Sequence, residues 1–152
     1  GRATAAANQL IKRLRKQGVR SELPEALYLK GKALQDLGQR GAARKTYVDA
    51  LSEARAMGTR RILWRVLSAL SLVEDDPSEA SRLHEEARHV IEYIADRIGD
   101  ETLRASFLSQ PDVQTVFQQI PFDESLSQSR GAANGPAEAA VKRVVPQRLS
   151  RV

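Results

Sequence analysis

The sequence predicts an all-α fold of antiparallel helical hairpins stacked side by side. Three observations carry this. Apolar residues recur at helical spacing along most of the chain, and no run of β-branched residues alternates with period two. Small and bulky residues recur at fixed places: Leu27-x2-Lys30-Gly31-x2-Leu34 and then Ala43-x3-Tyr47-x2-Ala50 are answered 37 residues later by Trp64-x2-Leu67-Ser68-x2-Ser71 and then Ala80-x3-His84-x2-Ala87. Gly18, Gly58 and Gly99 punctuate the chain at intervals of 40 and 41 residues, close to the same repeat. A hairpin with one apolar face cannot bury that face alone, so copies stack.

The first helix is predicted from about Thr4 to Gln17, with Ala7, Leu10, Ile11 and Leu14 on one face and Gly18 as a left-handed stop. Ser21 reads as an N-cap and Pro24 as a first-turn residue of the next helix, which runs to about Leu37. Its stripe is Leu27, Gly31, Leu34 and Leu37, flanked by Ala26, Leu29 and Ala33. After a tight turn at Gly38, a partner helix from about Gly41 to Met57 turns Ala43, Tyr47, Ala50, Leu51 and Ala54 inward. Gly58 stops it, and Thr59 can cap the helix from about Arg60 to Val73, which is apolar on more than one side.

Asp76, Pro77 and Glu79 make a strong start signal: an N-cap, a proline at the first position and an acid at the third. The helix that follows runs to about Ile98 on a stripe of Ala80, Leu83, Ala87, Val90, Ile91, Ile94 and Ile98. A short helix from about Glu101 to Leu108 points Leu103 and Phe107 inward. A last one, to about Gln119, has Val113, Val116, Phe117 and Ile120 on its apolar side. Phe122 and Leu126 are the last large apolar residues for some distance, and Ser, Gly, Ala, Asn and Pro take over through Pro136. Residues 123–152, including a weak helical spacing over 137–145, read as a disordered basic tail that buries too little to offset chain entropy.

At this point the chain resembles tetratricopeptide (TPR) repeats. Gly31, Ala43, Tyr47 and Ala50 fit that pattern in the first copy, and Trp64, Leu67, Ala80 and Ala87 fit it in the second. Both copies lack the closing proline, and their helices exceed the usual repeat of about 34 residues. In this they resemble the longer arrays of bacterial multidomain signalling proteins, where the array follows a nucleotide-binding regulator ATPase, often with a cyclase, kinase or DNA-binding domain. The stretch from Ile94 to Leu108 is similar to the ending of such arrays, with Asp100, Leu103, Arg104, Phe107 and Leu108 carrying the likeness.

The resemblance implies a right-handed solenoid with four parts. Residues 1–20 are the second helix of an incomplete upstream repeat, 21–98 two TPR-like hairpins, 99–122 a C-terminal helical cap and 123–152 the tail. It also implies that first-helix residues line a concave face. These are Glu25, Tyr28, Lys32, Gln35 and Asp36 in the first copy, and Ile62, Arg65, Ala69, Leu72 and Val73 in the second. A start at Gly1 inside a helical pattern predicts a piece of a longer protein.

Charge is uneven. Residues 1–20 carry six basic side chains and no acid, 21–120 carry 13 basic and 16 acidic, and 121–152 carry five and three. The body is mildly acidic, which argues against nucleic-acid binding by the whole domain. The rival reading places nucleic acid on the basic helix, through Lys12, Arg13, Arg15, Lys16 and Arg20. A third reading is a plain spacer.

The chain has no Cys, so it has no disulfide or thiolate chemistry, and this fits a reducing compartment. No apolar run is long enough to cross a bilayer, and no signal-peptide pattern opens the chain. His84 and His89 are five apart, which puts them on different helix faces and rules out the i, i+4 zinc pair. His84 takes a packing position and His89 an exposed one. Glu85, Glu86, Arg88 and Glu92 read as a solvated face. Asp75-Asp76 beside Pro77 read as a cap and not as paired catalytic acids. No phosphate loop or nucleophile–base pair is present. The expectation is a cytoplasmic, non-catalytic scaffold for a protein or peptide partner, with no cofactor.

Overall fold

The computed structural model describes residues 1–118, and the expectations for Gln119, Ile120, Phe122, Leu126 and the tail lie outside them. The described residues form seven helices: α1 (Arg2–Gln17), α2 (Leu23–Asp36), α3 (Arg40–Met57), α4 (Arg60–Val73), α5 (Pro77–Asp96), α6 (Glu101–Leu108) and α7 (Pro111–Gln118). No strand occurs among them. Each of α1 to α5 packs on the next, α2 also touches α4, and α7 lies against α5 and α6. The turns between them are short, which makes successive helices run antiparallel.

The core follows the repeated positions. Ala43, Tyr47, Ala50, Leu67 and Ala87 are fully buried, Trp64 is nearly so, and Ala80 is half-buried. Gly31 has a steric reason: a Cβ there would collide with the ring of Tyr47 from α3. α2 and α3 can approach this closely only because the position carries no side chain.

Several local expectations are corrected. Gly18, Gly38 and Gly58 take the left-handed backbone, with φ of 70°, 77° and 66°; Gly99 does not, and α5 ends earlier, at Asp96 with Arg97 as its C-cap. Ser21 is not a cap; α2 begins after Glu22 with no side-chain cap, and a turn closed by Leu23 N–H to Arg20 C=O leads into it. Thr59 occupies its cap position, but its hydroxyl donates back to Ala54 C=O at 3.4 Å, so it serves the end of α3 instead. Asp76 does cap α5, accepting from Ser78 N–H at 3.0 Å. The reciprocal bond from Glu79 is absent, because Arg82 takes that carboxylate with contacts of 2.6 and 2.9 Å. Asp76 N–H turns to Glu74 instead.

Leu29 and Leu37 stay exposed at 53% and 48%, so they do not share the buried stripe of α2. Leu103 is 63% exposed, and α6 buries no residue fully. Val113 and Val116 are buried as expected, while Phe117 remains 37% exposed. α6 thus adds partly buried cover through Phe107, as expected, and Leu108, while α7 supplies the fully buried part through Val113 and Val116.

Ion pairs tie elements about one repeat apart. Arg20 meets Glu53, Arg40 meets Asp75, Arg44 meets Glu74 and Arg55 meets Glu86, at 2.7–3.2 Å. Each is exposed on at least one side and contributes about 1 kcal/mol or less. They set register more than they add stability.

Candidate functional site

A groove of about 130 Å³ runs between α2, α4 and α7. It is lined by Tyr28, Lys32 and Gln35 from α2, by Trp64, Arg65, Ser68, Ala69 and Leu72 from α4, and by Asp112 and Thr115 from α7. The helical repeat explains the wall. On α2 the lining residues fall three, four and seven apart, and on α4 they form two adjacent rows, Trp64–Ser68–Leu72 and Arg65–Ala69, so each set shares one face.

Six of the ten residues expected on a partner-binding face meet here: Tyr28, Lys32, Gln35, Arg65, Ala69 and Leu72. Glu25 and Asp36 are exposed on α2 but do not line the groove. Ile62 is half-buried against the core. Val73 is corrected outright: it is 1% exposed and belongs to the core, because α4 is apolar on the side that meets its neighbours as well as on the groove side.

Gln35, Arg65 and Asp112 are the groove side chains hydrogen-bonded to other side chains. Tyr47 donates its hydroxyl to Gln35 Oε1 at 2.8 Å from within the core. The rings of Tyr28 and Tyr47 lie 6.1 Å apart, tilted by 39°. Burial, then the nearby Tyr28 and Asp36, push the Tyr47 phenol well above its ordinary value, so it stays a donor. This fixes Gln35 with its carbonyl inward and its amide N–H groups left for the groove. Arg65 Nη1 meets Asp112 Oδ2 at 2.8 Å across the groove, and its guanidinium lies 4.7 Å from the Trp64 ring centroid. The Nε1–H of Trp64 is buried without an acceptor, and Lys32 has no ion pair among the described residues.

The periodic pattern did not find Trp64, Ser68, Asp112 and Thr115 as groove residues. Trp64 and Ser68 stood as repeat positions, and nothing local to Asp112 and Thr115 points to α4. Tryptophan beside an arginine at a small-residue position was the available signal.

A second cleft, of about 280 Å³, opens between α1, α2 and α3, lined by Asn8, Ile11, Lys12, Arg15, Leu27, Lys30, Thr46 and Asp49. It gathers Lys12 and Arg15 but not Arg13 or Lys16, and Arg20 is held by Glu53 at 2.9 Å. His84 is 4% exposed and His89 is an exposed side chain, so the two do not converge. Among the described residues no group of three or more His, Cys, Asp or Glu could hold a metal ion, and no helix is long and apolar enough to cross a membrane.

With this geometry in view, the chain was compared with known proteins: no protein-family model and no curated protein matches it.

Proposed function

We propose that this chain is a TPR-like, non-catalytic scaffold that holds a protein or peptide segment in the groove of α2, α4 and α7, within a larger cytoplasmic signalling or regulatory protein of bacterial type. One observation carries the reading. Positions that a 37-residue register singles out on two separate helices, Tyr28, Lys32, Gln35, Arg65, Ala69 and Leu72, line a common cleft. Its walls mix aromatic, aliphatic and cationic groups, the composition of a peptide groove more than of a reaction pocket. The cover that α7 supplies over α5 is consistent with a stack closed at that end.

The test is substitution on the rim. Tyr28→Ala and Lys32→Ala each lower affinity for a captured partner by about fivefold or more, the effect of losing an interface residue worth about 1 kcal/mol. Helicity and melting stay near wild type, since Lys32 is exposed and Tyr28 half-buried. Unchanged affinity in both variants overturns the groove.

The nucleic-acid alternative has its own observation. Lys12, Lys30 and Arg15 share a cleft and have no ion pair among the described residues. That reading requires affinity that falls steeply with salt and is lost when Lys12, Arg13, Arg15 and Lys16 become Glu.

A further inference from the structure

The groove holds an unequal set of polar groups. Its donors are Lys32, Arg65 and the amide of Gln35. Only one carboxylate faces them, Asp112. It comes from α7, and it already sits on Arg65 at 2.8 Å. α7 is held by Val113 and Val116, which are 0% and 1% exposed, and not by Asp112, whose side chain is 68% exposed. An exposed ion pair through one nitrogen is weak and replaceable. Lys32 is exposed and has no ion pair among the described residues. The chain therefore displays, in its own α7, the chemistry that its groove accepts: a side-chain carboxylate carried on a helix.

We propose that the groove recognises an acidic helical segment whose side-chain carboxylate takes the place of Asp112 on Arg65, so that α7 competes for the site it helps to form. This rests on the scaffold reading above and names the chemistry of its partner. Lys32 supplies the second cationic contact. Arg65 stays in place over Trp64 as carboxylates exchange, because the ring stacking fixes the guanidinium independently of its anion. Partner binding then has a built-in threshold, set by how well an incoming carboxylate outcompetes one already tethered.

Trp64 is the sole tryptophan of the chain and lines the groove, so its fluorescence reports the site directly. The probe is an acetylated, amidated Ala/Glu peptide of about 16 residues, long enough to form some helix alone. It is compared with the matching Ala/Lys peptide and with the Ala/Glu peptide bearing a free C-terminal carboxylate. The amidated acidic peptide is expected to bind, and the basic one to bind about tenfold more weakly or worse. Asp112→Asn should tighten the acidic peptide by about 1.5- to 5-fold, the worth of an exposed ion pair. Adding Arg65→Gln should erase that gain.

No binding of the amidated acidic peptide to any variant overturns the proposal, as does equal binding of the basic peptide. A strict need for the free C-terminal carboxylate also overturns it, since recognition then belongs to a chain end. Unchanged affinity in Asp112→Asn overturns the competition. None of these removes the scaffold reading, which falls if Tyr28→Ala and Lys32→Ala both leave a captured partner bound. Circular-dichroism melts of both Asp112→Asn and Arg65→Gln keep loss of fold separate from loss of site.

Discussion

The pair α2–α3 and the pair α4–α5 share one register and differ in what covers them. Leu29 on α2 is 53% exposed, whereas Val66, 37 residues on, is fully buried. Lys32 is exposed, whereas its counterpart Ala69 is 8% exposed. Gly31 gives way to Ser68, and the buried phenol of Tyr47 gives way to the buried imidazole of His84. α4 has α2 and α3 on one side and α5 on the other. α2 has only α1 on its upstream side among the described residues. The same register positions are therefore exposed where no helix covers them, as at Leu29 and Lys32, and buried where one does, as at Val66 and Ala69. Register fixes which positions matter, and neighbours fix what they must be.

The largest expected effect comes from emptying either core. Trp64→Ala should cost about 3–5 kcal/mol, as removal of a large buried aromatic does. At that cost the second pair and the groove are lost together, and chemical denaturation followed by circular dichroism measures it. If the two pairs unfold independently, the first pair keeps its own transition, and the account of one cooperative stack is wrong.

A smaller effect separates the two small-residue positions. Gly31→Ala should destabilise by about 1–3 kcal/mol, because the added carbon meets the Tyr47 ring and overpacks the contact. Ser68→Ala, at the matching place beside a half-open groove, should stay within about 0.5 kcal/mol. Equal costs would mean that the close approach is not peculiar to the first pair.

The smallest effect is in alkaline stability. The Tyr47 phenol is raised above its ordinary value of 10.0 by burial and by Tyr28 and Asp36. Its contribution is full below the unfolded value and is lost as pH rises above 10.0 toward the folded one, because the unfolded chain ionises first. Melts run across that range should show a loss that Tyr47→Phe removes. The same substitution costs about 1 kcal/mol at neutral pH through the lost bond to Gln35.

Much of the helical layout was legible, for physical reasons that particular residues show. α4 spans the same residues in sequence and structure, because Gly58 before it and the Asp76-Pro77 start after it are strong local signals. Buried Ala43, Tyr47 and Ala50 followed from periodicity. Leu29, Leu37 and Leu103 did not, since an apolar residue is buried only if something packs on it, and composition does not report the neighbour. The groove was half legible. Tyr28, Lys32, Gln35 and Arg65 lie on the face that the repeat resemblance implies, whereas the ion pair from Asp112 to Arg65 spans 47 residues and leaves no local trace. The pairs Arg44–Glu74 and Arg55–Glu86 are separated by 30 and 31 residues, a spacing that could have been sought once the repeat was seen.

Site-specific photocrosslinking tests the central claim most directly, with a photoreactive side chain in the groove at Leu72, 50% exposed, or outside it on α3 at Val48, 42% exposed. The two positions are similarly accessible, so only location differs. The account predicts a discrete partner adduct from position 72 and none from position 48. Equal adducts, or an adduct from position 48 alone, would contradict it.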